Sequence, residues 1–128
     1  MTEVYFIRHS LRDNAAYDDM DVPLTAEGEK RALILADAFA NVSIEQIFSS
    51  PFQRSVRTLN PLAHSKNLEI QLISDFRERN VGHEIADFWP FAKRQWNDFD
   101  YKFADGESLR EVQNRNISAL EQILGKRV

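Results

Sequence analysis

Ile44-Glu45-Gln46-Ile47-Phe48-Ser49-Ser50-Pro51-Phe52-Gln53-Arg54 is the stretch on which the fold turns. Its first half is short and apolar, with Ile44, Ile47 and Phe48, and it has no helical period. It reads as a strand over 44–50. Pro51 then sits where a first-turn proline is tolerated, and Val56, Leu59, Leu62 and Ala63 recur at helical spacing. The spacing predicts a helix over 52–64, with Pro61 expected to kink or locally break it. A strand that passes directly into a helix is half of a β-α-β unit.

The other half lies downstream, where Leu68-Glu69-Ile70-Gln71-Leu72-Ile73-Ser74 alternates and reads as a strand. Upstream, Thr25 looks like an N-cap with Glu27 in the first turn. Ala32, Leu33, Ala36, Phe39 and Ala40 then give a helix over roughly 25–40. Ser10 to Leu24 is polar and loop-like. Glu3-Val4-Tyr5-Phe6-Ile7-Arg8 is aromatic and β-branched and reads as a first strand. The order is β-α-β-α-β, with connections long enough for crossovers, so an α/β fold with a parallel sheet is expected. The remainder reads as helical. Phe88, Trp89, Phe91, Trp96 and Phe99 form an aromatic payload suited to core and lid packing. Ser108 and Glu111 make a capping box for a last helix marked by Leu109, Val112, Ile117, Leu120, Ile123 and Leu124. Gly125, Lys126 and Arg127 stand at its end. No repeat or linker interrupts the chain, so residues 1–128 are expected to be one domain.

Composition narrows the function classes. The 128 residues carry 16 basic and 20 acidic side chains, a formal net charge of -4, and no block of Lys and Arg. Nucleic acid and anionic membrane therefore have no bulk electrostatic attraction to the chain. With no cysteine, disulfides, thiol nucleophiles and Cys-based zinc sites are excluded. No apolar run approaches the ~18 residues of a membrane span, and the N-terminus does not read as a signal peptide. A cytoplasmic protein is expected. Asp18, Asp19 and Asp21 miss the spacing of a calcium loop and read as a solvated loop, so no metal site is expected.

Arg8-His9-Ser10 closes the first expected strand, at the end that faces the ligand crevice in open α/β sheets. A neutral imidazole can attack phosphorus, and a neighbouring Arg can clamp phosphoryl oxygens. Taken alone, the tripeptide fits better a strand-end His satisfied by a backbone carbonyl. Ser49 to Arg54 closes the next strand with hydroxyls and an Arg in the first helical turn, where amide groups favour an anion. Alone, Arg54 reads as a solvated helix residue.

Together the motifs resemble the histidine phosphatase (phosphoglycerate mutase-like) superfamily. Arg8-His9-Ser10 resembles its Arg-His-Gly signature, and Ser49-Ser50-Pro51-Phe52-Gln53-Arg54-Ser55 its Ser-Ser-Pro-x-x-Arg-Ala element. Leu24-Thr25-Ala26-Glu27-Gly28 looks like its Leu-Thr-x-x-Gly. Phe76 to Gly82 is similar to the segment holding its acidic residue, and Gly106-Glu107-Ser108 with Arg115 to its Gly-Glu-Ser helix start. The resemblance implies a three-layer α/β/α fold with a mostly parallel sheet. It also implies a phosphomonoester phosphatase without cofactor or metal, acting on a phosphorylated small molecule or phosphoprotein. In that reading His9 accepts the phosphoryl group, Arg8 and Arg54 bind its oxygens, and Glu78 is general acid and then general base. A surface salt bridge of Glu78 with Arg77 or Arg79 is the alternative for that carboxylate. Ser10 departs from the family's Gly, and its hydroxyl is expected to face the phosphate.

The family carries a further His after a late strand. Here His64 falls in the second expected helix and His83 beside the acidic segment, and neither follows a late strand. The expectation is a family member lacking its last strand or strands. The first strand, Val4–Arg8, would then be an exposed sheet edge able to pair with a second copy. Two alternatives accompany the phosphatase reading: a module that binds phosphate or a phosphorylated ligand without turnover, and a fragment with no function of its own.

Overall fold

A computed structural model describes residues 2–13, 20–82 and 87–125. They form two compact units, residues 1–74 and 75–128.

The first unit holds α1 (Ala26–Ala38), β1 (Ile47–Ser49), α2 (Gln53–Lys66) and β2 (Ile70–Leu72). β1 and β2 are parallel, with Ile47 opposite Ile70 and Ser49 opposite Leu72, so α2 is the crossover of a β-α-β unit and the class is α/β. Thr25 caps α1 by accepting from the Gly28 N–H at 3.0 Å. Ile47, Leu62 and Ala63 are buried together, with Ala36, Phe39, Ile44, Leu59, Leu68 and Ile70 packed around them. Burying a residue such as Leu62 stabilises the unit by roughly 1.5–3 kcal/mol.

α2 does not break at Pro61 and runs on to Lys66. Proline forfeits one backbone bond there, and the apolar face on either side holds the helix in register. The helix stops at Asn67, whose left-handed backbone (φ 54, ψ 44) lets the Leu68 N–H reach Ala63 O at 2.9 Å. That closure uses carbonyls the last turn leaves open.

The segment expected as the first strand differs from its reading. Residues 3–8 make no ladder among the described residues. The Tyr5 ring stands edge-on to Phe39 at 5.1 Å, while Phe6 is 77% exposed. A β-prone sequence becomes a strand only when a neighbouring backbone takes its N–H and C=O groups, and β1 and β2 pair with each other instead.

The second unit starts at Asp75, within the 3-10 turn Ser74–Phe76, and holds α3 (Phe88–Asn97) and α4 (Leu109–Gly125). The capping box at α4 forms both bonds: the Ser108 N–H donates to Glu111 Oε1 at 3.2 Å and the Glu111 N–H to Ser108 Oγ at 3.1 Å. The aromatic segment divides. Phe91 is buried against Tyr101, but Trp89 is 78% and Trp96 66% exposed, so only part of the expected core payload is used inside this unit. The fully buried side chain here is polar. Gln95 donates through Nε2 to Tyr101 O (3.1 Å) and Glu107 O (2.9 Å), tying the end of α3 to the start of α4.

Candidate active site

His9 is half-buried, and its Nδ1 lies 2.7 Å from Ser10 O. A carbonyl oxygen only accepts, so Nδ1 carries a hydrogen, and in the neutral imidazole the lone pair is then on Nε2. Of the two neutral tautomers, the bond selects the one with hydrogen on Nδ1.

Ser10 is fixed from two sides. Its N–H donates to Thr58 Oγ1 at 2.8 Å, and its hydroxyl donates to Gly28 O at 2.9 Å. The Thr58 hydroxyl in turn donates to Arg54 O at 2.7 Å, one turn back along α2. His9 and Arg54 are thus linked through Ser10 and Thr58. The following residues are held as well. Thr25 N–H donates to Leu11 O and Asp13 N–H to Pro23 O, both at 2.9 Å, around a bridge between Arg12 and Leu24.

Arg54 is only 2% exposed, and its guanidinium lies 4.8 Å from the centre of the Phe52 ring. Keeping a guanidinium this far from water is costly unless its surroundings compensate the charge. Ser49 and Ser50 are also buried at the end of β1, and the Ser49 hydroxyl donates to Ser50 O at 2.7 Å. Arg8 is exposed.

The structure therefore brings His9, Ser10 and Arg54 to one corner of the first unit. His64, on the exposed side of α2, lines instead an open groove with Val56, Leu68, Glu69 and Leu72. His83, Asp18 and Asp19 lie outside the described residues. Among the described residues no group of three or more His, Asp or Glu is placed to hold a metal, and no helix is long and apolar enough to cross a membrane.

Glu78 belongs to the second unit. Its side chain is exposed, with Oε1 accepting from the Arg79 N–H at 3.2 Å. Arg77 pairs with Asp75 and Glu107, each at 3.6 Å.

Thr58 and Gly28 are the contributors that sequence reading underrates. Thr58 carries one faint signal, a hydroxyl four residues after the motif arginine, where it can bond back along the helix. Its acceptance from Ser10, 48 residues away in sequence, has no local signature.

The chain belongs to the histidine phosphatase superfamily (branch 1), whose family model matches residues 4–127. It is 31% identical over 115 residues to phosphoserine phosphatase 1 of Hydrogenobacter thermophilus, covering 81% of this chain and 54% of that protein. It is 29% identical over 134 aligned positions to the probable phosphoglycerate mutase GpmB of Shigella dysenteriae, covering 94% of this chain and 62% of that one. Among solved structures it superposes on a mycobacterial glucosyl-3-phosphoglycerate phosphatase bound to inorganic phosphate with a TM-score of 0.77 at 21% identity. That match covers 91% of this chain and 60% of the other. Bacillus stearothermophilus YhfR gives 0.78 at 23% identity, over 93% and 65%. The phosphoglycerate mutase-like α/β fold follows. The chain spans between half and two thirds of the length of these relatives.

Proposed function

We propose that this chain carries the phosphoryl-accepting half of a phosphomonoester phosphatase, with His9 as nucleophile. The observation that carries the reading is the 2.7 Å bond from His9 Nδ1 to Ser10 O. In the neutral imidazole it leaves the lone pair on Nε2, which is the form a phosphoryl acceptor needs.

In the reaction, Nε2 attacks phosphorus, the bond from phosphorus to the ester oxygen breaks, and an N–P bond forms. The leaving alcohol takes a proton from Glu78. Water then attacks the phosphohistidine, Glu78 takes a proton back, and inorganic phosphate leaves with the imidazole restored. Arg8 and Arg54 offset charge on the non-bridging oxygens, the main requirement of a loose phosphoryl-transfer transition state. Ser10 acts differently from a phosphate contact. Its hydroxyl hydrogen is committed to Gly28 O, and the remaining lone pairs would repel an oxyanion, so it anchors the nucleophile. The reaction requires no metal or other cofactor. A phosphorylated small molecule is the substrate class, in line with the phosphoserine and glucosyl-3-phosphoglycerate phosphatases among the relatives.

One observation favours a second reading, phosphate capture without turnover. The other described histidine, His64, lies on the groove side of α2, so no second imidazole accompanies His9 among the described residues.

The test is hydrolysis of 4-nitrophenyl phosphate by the chain and by His9→Ala, in the presence of a chelator, with trapping of an acid-labile phosphoryl adduct. Turnover and an adduct that both vanish in the variant support the phosphatase. Stoichiometric phosphate binding with no turnover moves the reading to capture.

A further inference from the structure

The segment carrying Glu78 has no helix or strand from the end of the 3-10 turn to Gly82, yet its backbone is fully engaged at several points. Arg115, on α4, supplies most of the engagement. Its Nη1 donates to Asp75 O (2.7 Å) and Arg77 O (2.9 Å), and its Nη2 to Glu78 O (3.3 Å). The same guanidinium makes a two-pronged pair with Glu107, Nε to Oε2 at 2.9 Å and Nη2 to Oε1 at 3.0 Å. Glu107 completes the grip. Its Oε1 accepts from the Asn80 N–H at 2.9 Å, and its own N–H donates to Asn80 O at 2.6 Å.

The two side chains are 10% and 16% exposed. A planar fork held by a carboxylate cannot swing, so its outer hydrogens point at fixed places. Those places are the carbonyls of Asp75, Arg77 and Glu78 itself. Gly106 completes the arrangement, since a Cβ there would stand 2.5 Å from Val81 O. The absent side chain lets the loop lie flat on the start of α4.

We propose that Glu107 and Arg115 are positioning residues that set the place of the Glu78 carboxyl during proton transfer to the leaving group. The inference rests on the phosphatase reading above. A loop without its own secondary structure depends on such tertiary bonds to fix the backbone from which the Glu78 carboxyl projects, beside the one local bond from the Arg79 N–H.

The readout is leaving-group dependence. 4-Nitrophenoxide departs without protonation, whereas an alkoxide needs a proton from a placed acid. Glu107→Gln keeps the side-chain shape and an acceptor oxygen but loses the charge that orients Arg115. Arg115→Lys keeps the charge but loses the fork, and serves where the first variant fails to fold by circular dichroism. Each is compared with Glu78→Gln on 4-nitrophenyl phosphate and on glycerol 2-phosphate. The expected result is a fall in kcat of roughly 10²-fold on the alkyl ester and under about 3-fold on the aryl ester, matching the pattern of Glu78→Gln. Equal losses on both substrates, or none, in the two folded positioning variants beside a leaving-group-selective Glu78→Gln overturns this inference alone. An unaltered chain that turns over neither ester, or a Glu78→Gln without selectivity, overturns the parent reading and this inference with it.

Discussion

Replacing Gly28 with alanine tests how closely the support of His9, the proposed nucleophile, is built onto α1. In an ordinary helix the change stabilises by up to about 1 kcal/mol. Here a Cβ would stand 2.3 Å from Leu11 O and 3.2 Å from Leu11 C and N, where 3.4 Å is an ordinary contact. The obstacle is backbone, so residues 10–12 must retreat by about 1 Å, and overpacking of this kind costs roughly 1–3 kcal/mol. Leu11 O also accepts from the Thr25 N–H at 2.9 Å, and Gly28 O from the Ser10 hydroxyl at 2.9 Å. Lengthening these bonds adds about 0.5–1.5 kcal/mol, so strain exceeds propensity and the sign reverses. The expected loss of about 1–3 kcal/mol lowers the urea midpoint by roughly 1 M for a domain of this size. Because Ser10 O holds the His9 ring, a shift of about 1 Å also lowers kcat/KM for an aryl phosphate by roughly 10²-fold. A Gly28→Ala protein with an unchanged or higher midpoint and full turnover would refute the account of both the packing and the nucleophile's support.

Three further outcomes follow from the same geometry. Thr58→Val removes the acceptor of the half-buried Ser10 N–H and should destabilise by about 1–3 kcal/mol in urea melts, with Thr58→Ser close to the parent; equal stability of all three discounts the bond. Glu107 is held below its ordinary value of 4.5 chiefly by the hydrogen bond from Arg115, with Asn80 and Arg77 adding to the effect. Its contribution is present above about pH 4.5 and is lost as pH falls through the lowered folded value, so the loss of stability on acidification should be shallower in Glu107→Gln than in the parent. Parallel curves would refute the linkage. The apolar segment Val4–Ile7, which joins no ladder among the described residues and leaves Phe6 largely exposed, should drive concentration-dependent self-association in sedimentation experiments, and Phe6→Asp should abolish it. A parent chain that stays monomeric at every concentration excludes that edge as an interface.

The sequence made residues 44–74 legible because their signals are local. Ile47 and Phe48, the Ser-Ser-Pro turn, the stripe from Val56 to Ala63 and the alternation from Leu68 to Ser74 each fix their own element, and β1, α2 and β2 follow in that order. The capping box was equally plain, since Ser108 and Glu111 satisfy each other. The reading failed where the outcome depends on distant partners. Val4–Arg8 is as β-prone as β1, yet no neighbour takes up its backbone among the described residues. Trp89 and Trp96 are apolar enough for a core, but hydrophobicity does not say which face of a ten-residue helix is covered. Gly28 was visible within a motif. That it makes room for Leu11 O is a fact of tertiary approach, as is the reach of Arg115 across 37–40 residues to the Glu78 loop.

His9 shows why the plain and the functional readings of one residue are not rivals. An imidazole satisfied by a backbone carbonyl is the unremarkable case, and the bond to Ser10 O is that case, without the strand the sequence led one to expect before it. The bond nevertheless fixes which nitrogen carries hydrogen, and a fixed Nδ1–H is the condition for a nucleophilic Nε2. What raises the geometry above structural satisfaction is its support. The accepting carbonyl belongs to a residue bonded to both α1 and α2, and the α2 anchor bonds in turn to the backbone of the buried Arg54. A chain of net charge -4 thus buries a guanidinium on a residue whose backbone is tied to the support of the imidazole. Under the proposed function, a phosphoryl group is the anion this guanidinium would bind.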